Sequence, residues 1–144
     1  MMHSMMKWAG RAVAFVALTA SASACVAEAD FVVAGNGPTG VLTTRWSIAG
    51  TFDDRLCADY YAERMELVIA NASGGAAGTF SQPCEQFELS VELPTGSYVA
   101  DATLIGYDGA PVSTTLTLQP FRIVRDTEIF VDTDFPADSL LTVR

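Results

Sequence analysis

The chain of 144 residues has one histidine, His3, and one lysine, Lys7, both within the first seven residues. Beyond them no imidazole is left, so neither a Ser-His-Asp triad nor a Cys-His pair can be assembled. Lysine is equally absent for a Schiff base or for a phosphate-binding loop. Zinc sites built on histidine are excluded, and two cysteines alone are too few soft ligands. Basic charge is scarce: beyond residue 24 six arginines face seventeen Asp and Glu, a formal −11 against −9 for the whole chain. Nucleic acid is therefore excluded as a partner, because phosphate backbones are met by clustered Lys and Arg. Gly35-Asn36-Gly37 has no strand-to-helix context and carries no nucleotide-binding signal. No cofactor is expected.

A long apolar run is also lacking. Residues 12–27 are uncharged and mostly Ala, Val, Phe and Leu, but the stretch ends at Glu28 and Asp30. A spanning helix needs about 17–25 predominantly apolar residues. With Lys7 and Arg11 before it and small residues at its end, the segment reads as a secretory signal peptide over residues 1–24. Two cut sites compete. One follows the small-x-small triplet Ala22-Ser23-Ala24. The other precedes Cys25, where Ser21-Ala22-Ser23-Ala24 resembles a bacterial lipoprotein processing box, with Ala22 in the place usually held by Leu. That resemblance implies lipid attachment at Cys25 and a membrane partner through the lipid, with the chain facing the periplasm or the exterior.

Cysteine is sparse and odd in number. An exported chain with three cysteines leaves one thiol over. If Cys25 carries lipid, Cys57 and Cys84 remain as a pair whose oxidation outside the cytosol closes a 28-residue loop, 57 through 84 inclusive. Loop entropy at that length is worth roughly 3.5 kcal/mol.

Long amphipathic helices are missing as well. Residues 25–40 contain few large side chains after Val33 and read as a tether. From Val41 to the end, 41–144, the pattern is that of one β domain. Leu42, Thr44, Trp46 and Ile48 alternate with Thr43, Arg45 and Ser47, as in a half-buried strand, with Trp46 the main core anchor. Asp53 or Thr51 caps a short helical turn that packs Leu56, Cys57 and Tyr60. Met65, Leu67 and Ile69 form a second face. The Ser73–Gly78 stretch makes a bend or a weak edge strand. Phe87, Leu89, Val91 and Leu93 face inward, with Glu88 and Glu92 outward. Pro94-Thr95-Gly96-Ser97 makes a tight turn in which Gly96 can take positive φ. Tyr98, Ala100, Ala102 and Leu104 point in, and Tyr107–Ala110 is a second turn. Val112, Thr114, Leu116 and Leu118 share the next face, Phe121 to Val124 continue it, and Ile129 and Val131 complete the last strand. About seven short strands predict an all-β antiparallel sandwich. The Leu93-Pro94-Thr95-Gly96-Ser97-Tyr98 segment resembles the strand-turn-strand of prealbumin-like and other immunoglobulin-like extracellular modules. The likeness spans residues 86–118 and implies architecture, not a family function.

Candidate sites follow from what is exposed. Phe130 points opposite Ile129 and Val131, and the adjacent Tyr60 and Tyr61 cannot both face one core. Tyr61, Tyr107 and Phe130 are thus candidates for a contact with an envelope protein or a glycan. Asp132, Asp134 and Asp138, and separately Asp53, Asp54 and Asp59, are weak calcium candidates, neither set matching the twelve-residue calcium loop. Glu88 and Glu92 are the remaining carboxylate pair. The expected function is a non-enzymatic cell-envelope lipoprotein serving as a binding or structural accessory. The alternatives are a freely secreted adhesion domain dependent on carbohydrate or calcium and, furthest from the pattern, a carboxylate-pair hydrolase.

Overall fold

A computed structural model describes residues 37–141. The leader, Cys25 and the tether up to residue 36 lie outside the described residues. The described residues form eight strands: β1 Thr39–Ile48, β2 Ala62–Asn71, β3 Ala76–Pro83, β4 Glu88–Pro94, β5 Gly96–Gly106, β6 Leu116–Thr117, β7 Phe121–Ile123 and β8 Glu128–Phe135. They make two sheets, one ordered β4-β1-β8 and the other β3-β2-β5-β6, with β7 also pairing β5. One helix, α1 Asp54–Asp59, lies between β1 and β2.

The expected sandwich is thus present. Its sheets are antiparallel except at one ladder: β8 runs parallel to β1, from Val41↔Glu128 to Ile48↔Phe135. The period-two pattern sets the faces. Leu42, Thr44, Trp46 and Ile48 of β1 are fully buried and confront Met65, Leu67 and Ile69 of β2. Phe87, Leu89, Val91 and Leu93 and then Tyr98, Ala100, Ala102 and Leu104 complete this core, as their alternation predicts. Truncating one such side chain, Leu67→Ala for example, removes about 2–5 kcal/mol.

Four details depart from the sequence reading. First, β1 begins at Thr39, inside the expected tether. Gly40 makes this start: a Cβ there would lie 2.8 Å from the Thr127 carbonyl oxygen and closer still to that of Val124. Val41 N–H donates to Thr127 O and Asp126 N–H to Thr39 O, at 2.8 and 2.9 Å.

Second, the Pro94–Ser97 turn joins no hairpin. β4 and β5 belong to different sheets, so Thr95 is the bend at which the chain crosses the sandwich. Gly96 is not among the glycines with positive φ. The corner is held instead by the Tyr98 hydroxyl, which donates to Pro94 O at 2.8 Å. This is the bonding of a tyrosine corner, a hallmark of immunoglobulin-like sandwiches.

Third, Thr114 is exposed, and Ser113 is buried in its place. The Ser113 hydroxyl accepts from Leu104 N–H at 2.8 Å and donates to Thr114 O at 2.9 Å. A side chain that bonds the backbone replaces ladder bonds, so only Leu116–Thr117 remain as strand. Fourth, of the two alternatives after Ser73 the edge strand is the one formed, and it is a full one, β3, rather than weak.

The two links that cross between sheets at one end are stapled. Cys57 of α1 is disulfide-bonded to Cys84, which opens a 3₁₀ turn over Cys84–Gln86. Asp53 caps α1 by accepting from Arg55 N–H, and Leu56 and Tyr60 are half-buried against the core, as expected. The Trp46 indole N–H donates to Cys84 O at 3.2 Å, tying the core anchor to the staple.

Candidate functional site

Tyr61 and Tyr107 are brought together. In the β2–β5 ladder Ala62 faces Gly106, so the residue before β2 and the residue after β5 become neighbours. Their rings meet edge to face with centroids 5.0 Å apart, while 44% of Tyr61 and 57% of Tyr107 remain exposed. The backbone there is shaped for the pair. Tyr61 sits at φ 61°, a left-handed conformation that costs a non-glycine residue about 1–2 kcal/mol. Gly106 has room for no side chain: a Cβ would lie 2.9 Å from Val112 Cγ1 and 3.2 Å from Tyr61 O. Next to them the ladder shifts register between Ala62 and Arg64, leaving Glu63 as the extra residue of a bulge. Bulges re-aim side chains where they occur. Behind Tyr107 the turn closes through Gly106 N–H to Ala110 O at 2.8 Å, with Asp108 accepting from Ala110 N–H. Charge is mixed at this end: Glu63 pairs with Arg64 at 2.7 Å, and Asp108 is exposed.

Phe130 does not join them. It lies on β8 in the other sheet, opposite Thr43, with the Arg45 guanidinium carbon 5.9 Å from its ring centre. Its side chain is 59% exposed on an outer face that also carries Glu88, Glu92, Glu128, Asp132 and Asp134. Of the calcium candidates, Asp132 and Asp134 hold protein groups. Both carboxylate oxygens of Asp132 accept from Arg45, each at 2.9 Å. This hydrogen bonding, and then the carboxylate's charge, raises the Arg45 pKa above its ordinary value. Asp134 accepts from Ser47 Oγ at 2.6 Å and from Gly50 N–H at 2.8 Å. Asp138 belongs to the following 3₁₀ turn, Ala137–Ser139. Among the described residues no three His, Cys, Asp or Glu side chains are grouped to hold a metal.

Glu88 and Glu92 both point out from β4, as expected. Four residues along a strand separate them by roughly 13 Å, at about 3.3 Å per residue. Glycosidic chemistry holds its two carboxyl groups about 5–9.5 Å apart. The pair is accordingly a solvated strand face.

Two further features escaped the sequence reading. Among the described residues Phe52 is the most exposed large apolar one, at 65%, and packs edge-on against Phe87, 5.8 Å between centroids. It lies outside any strand, so no alternation marked it. The other is a cleft of about 240 Å³ between edge strands β3 and β4, lined by Asn71, Phe80, Glu92, Leu93, Thr95 and Tyr98 together with Ala76, Ala77 and Pro94. It is assembled from three separate segments, and no local pattern announces it.

No family model matches the chain, and no curated protein matches it in sequence. Among solved structures, the fold is similar to that of a Bacteroides thetaiotaomicron protein described as a candidate polysaccharide-binding protein (DUF1812), at a TM-score of 0.40 and 11% identity. The similarity covers 64% of this chain and less than half, 46%, of that one.

Proposed function

We propose that the protein is an exported, lipid-tethered module of the cell envelope that binds a partner without transforming it. The observation that carries the binding role is the Tyr61–Tyr107 pair, exposed yet held by left-handed backbone, a side-chain-free Gly106 and a bulge. Strain of this kind persists where the surrounding structure imposes it, and it clusters at binding sites. Aromatic rings also provide much of the energy of protein and glycan contacts. The Cys57–Cys84 disulfide fits an oxidising compartment, in accord with the leader and with lipid on Cys25. Among the described residues no helix is long and apolar enough to cross a membrane, so attachment in this reading rests on the lipid.

Photo-crosslinking in the native envelope tests the assignment. A benzophenone side chain in place of Tyr61 or Tyr107 captures a discrete adduct, and the same group in place of Phe130 captures none. Equal capture at all three positions, or none at the tyrosines, contradicts the proposed surface.

A further inference from the structure

We propose that the cleft between β3 and β4 is a second binding site, separate from the tyrosine pair, and that it receives one neutral sugar ring. Its construction is specific. The β2–β3 ladder shifts register so that Ile69 faces Gly78 and Ala70 faces Ala76, leaving Ala77 as the extra residue of a bulge. Ala77 is turned inward, 9% exposed, and borders the cleft together with the small Ala76. The Ala/Gly-rich segment that reads in sequence as a bend or a weak edge strand is thus what leaves the space open. Opposite it stands the corner where the chain crosses between sheets. Tyr98 is immobilised there by its bond to Pro94 O and by stacking on Phe121, ring centroids 5.8 Å apart.

Size and chemistry select the ligand. The cleft's volume of about 240 Å³ is below the ~300–1,000 Å³ of pockets for drug-sized molecules. A single ring fits that space. Phe80 and Leu93 give apolar walls for the C–H faces of a pyranose. Asn71 offers an amide whose side chain makes no hydrogen bond to another described residue, and Thr95 offers a hydroxyl. No arginine lines the cleft, which disfavours an anion. Glu92, the one charged residue of the lining, is exposed and already accepts from the Thr39 hydroxyl, so it provides a hydroxyl acceptor more than a cation trap.

The test is amide chemical-shift mapping on the isotope-labelled, disulfide-oxidised full chain. The probes are the methyl glycosides of glucose, galactose, mannose and N-acetylglucosamine, with glucuronate and ethanolamine as charged controls. At least one neutral glycoside is expected to move the amides of Asn71, Ala76 and Thr95. Asn71→Ala weakens that binding about two- to tenfold, as loss of one hydrogen bond does. Ala76→Phe, which adds bulk at an exposed position of the rim, weakens it by about tenfold or more. The proposal is overturned if no neutral glycoside shifts these amides up to roughly 50 mM, far above a dissociation constant of about 1 mM. It is also overturned if either charged probe shifts them as strongly, or if a folded Ala76→Phe variant binds unchanged. Shifts confined to Tyr61 and Tyr107 overturn the cleft assignment while supporting the tyrosine surface.

Discussion

Tyr61 illustrates how one residue bears both a cost and a role. Its φ of 61° is unfavourable for any side chain except glycine, yet the tyrosine is kept there with its ring against Tyr107. A pair of variants separates the two effects. Tyr61→Ala and Tyr61→Gly both lose the ring, but only glycine relieves the backbone. Tyr61→Gly is therefore expected to be about 1 kcal/mol more stable than Tyr61→Ala in urea unfolding, despite glycine's entropic disadvantage elsewhere. Equal stability, or the reverse order, means that the left-handed backbone is not strained. In sequence, adjacent Tyr60 and Tyr61 announced that one of them must be exposed, and Tyr60 is indeed the half-buried one. That Tyr61 would meet Tyr107 was not legible, because the neighbours are set by the β2–β5 register, which joins residues 46 positions apart in the chain.

At the scale of elements, alternation disclosed what it physically controls: which face of a strand is buried. It reads correctly for β1, β2, β4 and β5, where one face meets the opposing sheet. After Pro111 it places Val112, Leu116 and Leu118 correctly and misses one position, Thr114, where the buried Ser113 side chain takes over backbone bonds instead. Alternation is also silent on direction, so the parallel β1–β8 ladder was hidden, as was the assignment of β4 and β5 to different sheets. The β4–β5 corner has a measurable signature. Burial raises the pKa of the Tyr98 phenol above its ordinary value of 10.0. A group whose folded pKa is raised contributes stability that is fully present below the unfolded pKa and fades as pH rises through the folded one. Stability should accordingly fall above about pH 10, and Tyr98→Phe should flatten that fall while costing about 1 kcal/mol at neutral pH for the lost hydrogen bond. An unchanged alkaline limb in Tyr98→Phe contradicts the account of the corner. The Cys57–Cys84 staple makes a second prediction at this scale. Replacing both cysteines by serine should lower unfolding free energy by about 2–4 kcal/mol. A loss near zero means that the two crossover links are held in place without the covalent bond.

For the whole molecule, the described residues form a disulfide-closed sandwich with polar, acidic outer surfaces and two distinct candidate contact sites. The tyrosine surface lies where β5 ends, beside Gly106. The cleft borders the crossing bend at Thr95, just before β5 begins. After residue 24 the acids outnumber the arginines seventeen to six, so net negative charge dominates. The proposed placement on the envelope depends on the odd cysteine: with Cys57 bonded to Cys84, Cys25 is the thiol left without a partner in the chain. Intact mass of the protein extracted from its native membranes tests this most directly. The account predicts a chain beginning at Cys25, two hydrogens lighter for one internal disulfide and heavier by a fatty-acyl modification. An unmodified chain beginning beyond Cys25, recovered from the soluble fraction, would contradict it.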